Sequence, residues 1–69
     1  MEVLLEARKK AGLTQEQVAQ RVGIVLSYYR ALEKGEQRNP SIQIVVQLAR
    51  TLKVPAIKLI AAFLPKGHS

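Results

Sequence analysis

The chain has no cysteine, no tryptophan and no aspartate, and only three of its 69 residues are aromatic. Without cysteine there are no disulfides and no thiolate zinc site, the staples on which chains this short commonly depend, so packing has to supply the stability. No apolar run approaches the roughly 20 residues that cross a bilayer. The start lacks the basic segment and apolar core of a secretory signal. These absences point to the cytoplasm and away from a membrane. The single histidine is His68, and the glutamates are scattered between Glu2 and Glu36. No triad, carboxylate dyad or metal set can be assembled from them, so the expectation is a non-enzyme with no metal and no cofactor. The four glycines stand apart, at Gly12, Gly23, Gly35 and Gly67, which excludes a glycine-rich phosphate loop.

What remains is apolar and basic. Hydrophobic residues make up 48% of the chain, enough for a globular core, and separate cores rarely form in segments shorter than about 50 residues, so a single domain is expected. Eleven Lys and Arg against five Glu give a net charge of +6. All five acids lie at or before Glu36, while the charged residues beyond it (Arg38, Arg50, Lys53, Lys58, Lys66) are all basic. Such a balance favours a polyanionic partner, nucleic acid first.

The pattern reads as five helices and no strand. Leu4, Ala7 and Ala11 fall at helical spacing in Glu2 to Ala11, with Gly12 as the stop. Thr14-Gln15-Glu16-Gln17 has the form of a capping box, so a second helix begins there, carries Val18, Ala19 and Val22 on one face, and ends at Gly23. A third runs from about Leu26 to Lys34 and is closed by Gly35; the turn before it is so short that the two helices must cross steeply. Pro40 discourages helix at Asn39 and Ser41 can cap a fourth helix to about Leu52, whose buried face would carry Ile42, Val45, Leu48, Ala49 and Leu52. Pro55 suits the first turn of a fifth, about Ala56 to Leu64, ended by Pro65. Residues 1–64 then form the domain, and 65–69 a polar tail.

Two short helices joined through a glycine, the second with a polar face, are what a helix-turn-helix requires. The run Arg8-Lys9-Lys10-Ala11-Gly12-Leu13-Thr14-Gln15-Glu16-Gln17-Val18-Ala19 goes further, together with Val22-Gly23-Ile24, Glu33-Lys34-Gly35, Arg38-Asn39-Pro40-Ser41, and Leu48-Ala49 with Leu52. At these spacings the chain, from Leu4 to Ile60, resembles the Cro and repressor class of helix-turn-helix proteins, which includes lambdoid phage repressors and many bacterial regulators.

That resemblance implies an all-α, five-helix DNA-binding domain. At about 100° per residue, Ser27, Arg30, Ala31 and Lys34 share one face of the third helix and Tyr29 and Leu32 the opposite one. In the family the outward face enters the major groove of double-stranded DNA, so Leu26, Ser27, Tyr28 and Arg30 would face the groove behind the capping position Val25, with Lys34 further along. Gln15, behind the cap Thr14, would bind phosphate at a helix N-terminus, and Arg38 and Asn39 would clamp the backbone beyond. The resemblance also implies a structural salt bridge between Arg8 and Glu33, with Tyr29 in the core and its hydroxyl at the edge.

Two positions depart from the family pattern. Val25 stands where a Ser or Thr usually caps, and Leu26 where a polar base reader usually sits. Either the site reads thymine methyls and groove shape, or the third helix docks a protein. On the fifth helix Ala56, Leu59, Ile60 and Phe63 form one apolar face, and Ile57, Ala61 and Leu64 a second about 110° away. The family builds its two-fold dimer in this region, which implies a homodimer through Ile57, Ala61 and Leu64; the other reading sinks that face in the monomer core. The function expected is a transcriptional regulator, a repressor binding a palindromic operator as a homodimer. The alternative is an antitoxin or adaptor that uses the same fold to hold a toxin or another regulator.

Overall fold

Each of the first four helices stops where the backbone turns left-handed. In a computed structural model describing residues 1–64, the elements are α1 (Glu2–Ala11), α2 (Gln15–Val22), α3 (Leu26–Lys34), α4 (Ile42–Leu52) and α5 (Ala56–Phe63). The polar tail at 65–69, His68 included, lies outside the described residues. Gly23 closes α2 at φ 86°, its own N–H and that of Ile24 both donating to the Ala19 carbonyl at 2.9 and 3.0 Å. A side chain strains that backbone, so glycine is what lets α3 start only a few residues after α2 ends. Lys53 does the same work for α4 without being glycine: at φ 58° it donates to the Arg50 carbonyl, and Val54 donates to that of Ala49.

The starts are fixed by side chains. The Thr14 hydroxyl accepts from the Gln17 amide at 3.1 Å while the Gln17 side chain accepts from the Thr14 amide at 2.9 Å, a complete capping box on α2. Ser41 caps α4 by accepting from Ile44 N–H. Val25, at the head of α3, offers no side-chain acceptor, so α3 begins uncapped.

The core gathers around α4. α2 packs on α3 and on α4, α5 lies against α4, and α1 crosses α3, α4 and α5. Leu4, Val18, Tyr29, Leu32, Leu48 and Leu59, at least one from every helix, are completely buried. Burying a side chain of this size stabilises by about 1.5–3 kcal/mol, which is how a chain without cross-links stays folded. This packing leaves Ser27, Arg30 and Lys34 exposed on the outer face of α3.

Three expectations change. Ile42 does not join the buried face of α4; it is 61% exposed. It is the first residue of that helix and flanks an open groove shared with Val22 and Ile24, so no element covers it. Leu64 is not helical: its backbone is extended at φ −67°, ψ 143°, because the residue before a proline is driven out of the α region. Tyr29 is fully buried to its hydroxyl, which turns inward rather than standing at the edge of the core.

Candidate nucleic-acid interface

Behind α3 lies a buried carboxylate with four donors. Glu33 is 8% exposed. Arg8 Nε donates to its Oε2 at 2.6 Å and Arg8 Nη2 to its Oε1 at 3.3 Å, so the guanidinium engages both oxygens. The Tyr29 hydroxyl donates to Oε2 at 2.6 Å, and Gln15 Nε2 to Oε1 at 2.9 Å. A third Arg8 nitrogen donates to the Leu13 carbonyl, tying the α1–α2 turn into the same cluster. Burial on its own would raise the Glu33 pKa, but the bonds from Arg8, Tyr29 and Gln15 together outweigh it and hold the carboxyl below the ordinary glutamate range. Burial, and then the neighbouring carboxylate, push the Tyr29 hydroxyl above its usual pKa. The hydrogen bond to Glu33 raises that of Arg8. At neutral pH the hub is one anion, one cation and one neutral phenol, with the acceptors of Glu33 filled.

From this hub the contacts lead outward. The Gln15 side chain, half-buried in the first turn of α2, accepts through Oε1 from Arg30 Nε at 3.2 Å. Ser27, Arg30 and Lys34 are exposed on the face of α3 turned away from Tyr29 and Leu32. Val25 is 69% exposed at the head of that face, and Leu26 and Tyr28 are half-buried beside it, partly packed on the core. At the near end of α2 the N–H groups of Gln15 and Glu16 have no helical carbonyl to receive them, while that of Gln17 goes to the Thr14 hydroxyl. Beyond α3, Arg38 donates through Nε to the Gly35 carbonyl at 3.1 Å, which sets its side chain against the loop, and Asn39 is exposed next to it. Thr14 is exposed while its hydroxyl is occupied as a cap. The residues singled out in the sequence are exposed or half-buried at the head of α2, on the outer face of α3 and in the loop after it.

The family model for helix-turn-helix proteins matches residues 4–64. The chain belongs to the helix-turn-helix family. Two regulators resemble it over most of their length. An uncharacterized HTH-type transcriptional regulator of Methanothermobacter thermautotrophicus is 44% identical over 50 residues, 72% of this chain and 71% of that protein. Another, y4dJ of Sinorhizobium fredii, is 40% identical over 53 residues, 77% of this chain and 68% of that protein. Among solved structures, the N-terminal DNA-binding domain of SinR from Bacillus subtilis superposes with a TM-score of 0.79 at 27% identity, over 97% of this chain and 93% of that one. The five-helix reading and the family reading both stand.

Two features of this helix-turn-helix protein go beyond what the sequence announces. One is the double engagement of the Gln15 side chain, whose Nε2 goes to Glu33 and Oε1 to Arg30, which leaves the backbone N–H as the group for an anion at this helix N-terminus. The other is the tether on Arg30. Neither has a local signal, since 15 residues separate Gln15 from Arg30. The chemistry of glutamine, donor and acceptor at once, is the only hint available. On α5, Ile57 is 68% exposed, Ala61 is exposed and Leu64 is 59% exposed, while Leu59 is buried; Ala61 and Leu64 line one groove with Lys34, Arg38 and Asn39. The second apolar face of α5 is open. Among the described residues no group of three or more His, Cys, Asp or Glu could hold a metal ion, and no helix is long and apolar enough to cross a membrane.

Proposed function

We propose that this chain is a sequence-specific DNA-binding transcriptional regulator that acts in the cytoplasm as a repressor, binding a palindromic operator as a homodimer. The observation that carries the reading is the outer face of α3, exposed at Ser27, Arg30 and Lys34 and flanked by the open head of α2 and by Arg38. Two helices and a loop then meet a duplex together: α3 in the major groove, the first-turn amides of α2 and the Arg38 guanidinium on phosphates. The likeness to the DNA-binding domain of SinR and to two proteins named as transcriptional regulators supports the same reading.

Within it, Ser27 and Arg30 meet base edges, Val25 and Leu26 meet thymine methyls or sugars, and Tyr28, Lys34 and Asn39 lie within reach of the backbone. Thr14 holds the α2 head in place rather than contacting bases. Ile57, Ala61 and Leu64 face the same residues of a second copy across a two-fold axis, which sets two half-sites about one helical turn, some 34 Å, apart. Residues 1–64 are the working unit.

The apolar start of α3, with Val25 69% exposed, favours one second reading: an antitoxin or adaptor whose α3 docks a protein. Electrophoretic shift of random duplex DNA at low salt separates the two. A regulator binds it and, given a random pool, enriches a two-fold symmetric sequence; absence of any shift would leave the adaptor reading.

A further inference from the structure

The hydrogen bonds around Gln15 run in one direction, from the core to the surface, and they end on an arginine with free donors. We propose that Glu33 and Gln15 are positioning residues that hold Arg30 as the reader of a guanine in each half-site. This rests on the DNA-binding reading above and adds to it the base and the residues that fix its reader.

The relay can be built only one way round. A carboxylate accepts and cannot donate; a guanidinium donates and cannot accept. Gln15 therefore has to turn Nε2 to Glu33 and Oε1 to Arg30, as it does at 2.9 and 3.2 Å, since the flipped amide would set donor against donor and acceptor against acceptor. The inner end does not move, because Arg8 and Tyr29 fix Glu33 inside the core. The consequence falls on Arg30. Its Nε is occupied, so the two terminal nitrogens of this exposed guanidinium are the donors left, side by side in the planar fork. That pair matches the O6 and N7 acceptors on the major-groove edge of guanine, the commonest specific contact an arginine makes with a base.

Its neighbours cannot do this. Val25 and Leu26 have no donor and Ser27 has a single hydroxyl, so within the first two turns of α3 Arg30 is the exposed group with a fork. A long exposed arginine ordinarily samples many rotamers and loses that freedom on binding. Tethering through Gln15 removes part of the loss beforehand and aims the fork along one direction, which sharpens discrimination between bases more than it raises affinity for DNA as such.

The test compares sites selected from a random duplex pool by wild type, Arg30→Ala, Arg30→Lys and Gln15→Met, with thermal unfolding of each protein as the check on folding. Wild type should select a guanine at one fixed position per half-site. Replacing that guanine with 7-deazaguanine, which lacks the N7 acceptor, should weaken binding roughly tenfold. Arg30→Ala should erase the preference there, and Arg30→Lys should lose it too, because an ammonium keeps the charge without the fork. Gln15→Met keeps the volume and loses both hydrogen bonds; the ratio of affinities for the guanine site over its adenine variant should fall roughly three- to tenfold. The inference is overturned if Arg30→Ala weakens all sequences alike and lowers the salt dependence, which makes Arg30 a phosphate contact. It is equally overturned if Gln15→Met leaves that ratio intact. If wild type shifts no duplex at any salt, the DNA-binding reading itself fails.

Discussion

Removing the Glu33 carboxylate perturbs the centre of the molecule and its surface together, and its cost follows from the partners left behind. In Glu33→Ala the Tyr29 hydroxyl loses its acceptor at a site with no solvent exposure, which costs about 1–3 kcal/mol. Arg8 loses two charge-assisted bonds. Stripping the partner from a fully buried charge costs about 3–5 kcal/mol, but the Arg8 side chain is 14% exposed and keeps the Leu13 carbonyl, so about 2 kcal/mol is the reasonable share. Gln15 can turn to water at little cost. The expected loss is about 3–5 kcal/mol, against a total of about 0.05–0.15 kcal/mol per residue for a domain. Glu33→Ala should therefore lose about a third or more of the stability of the domain, read by urea denaturation followed by circular dichroism. The triple variant Arg8→Met, Tyr29→Phe, Glu33→Leu removes the carboxylate together with its arginine and tyrosine partners, leaves Gln15 and the Leu13 carbonyl to water, and should recover to within about 1 kcal/mol of wild type. A loss below about 1 kcal/mol in Glu33→Ala, or a triple variant less stable than the single one, would refute the hub. The pH dependence gives a second check. Glu33 has a lowered folded pKa, so its contribution is complete above the ordinary value of 4.5 and is lost as pH falls below it through the folded value. Tyr29 is raised, so its share is complete below its ordinary 10.0 and fades as pH climbs beyond it. Glu33→Gln should flatten the acid limb of the stability profile.

The other expectations concern the surface and one backbone position. Arg38→Ala should weaken binding to all duplexes alike and reduce the slope of log affinity against log salt by about 0.9, measured by titration at several salt concentrations; a change confined to one base pair would make Arg38 a reader. If Leu26 packs on a thymine methyl, uracil at that position should weaken binding and Leu26→Ala should remove the difference, whereas equal affinity at every thymine makes Leu26 a spacer. If the proposed homodimer forms through α5, Ile57→Glu is felt twice across its two-fold axis and should make the chain monomeric in sedimentation while the fold survives, since the side chain is 68% exposed, and operator affinity should drop far more than binding to random DNA. Lys53→Gly should raise stability by about 0.5–1 kcal/mol in urea, because relief of left-handed strain, about 1–2 kcal/mol, exceeds the added freedom of the unfolded chain; an unchanged or lower midpoint would place no strain at φ 58°.

Nearly all of the helical frame could be read beforehand, because the signals that set it are local. Thr14 and Gln17 stand three residues apart and form their capping box from adjacent backbone, and Gly12, Gly23 and Gly35 each sit at a helix end where left-handed backbone is needed. Periodicity located Val45, Leu48, Ala49 and Leu52 correctly: they are buried in a helix on which α1, α2 and α5 pack. It failed at Ile42, which has the same residue type and register but lies at the end of α4 with nothing above it; a helical wheel shows direction and is blind to where the neighbouring helix stops. Lys53 escaped for a different reason: no residue type other than glycine or asparagine announces left-handed backbone. The interface divides the same way. Exposure of Ser27, Arg30 and Lys34 follows from their spacing on one helix, whereas the link from Glu33 through Gln15 to Arg30 passes between two helices and exists only once α2 and α3 are packed. That crossing joins stability to recognition. A change at Glu33 loosens the core and the reader together, a change at Gln15 frees the reader while Arg8 and Tyr29 still hold the carboxylate, and a change at Arg30 touches the outer face alone. The order in which unfolding and base preference respond along these three residues therefore measures how much of the recognition surface is held in place from inside.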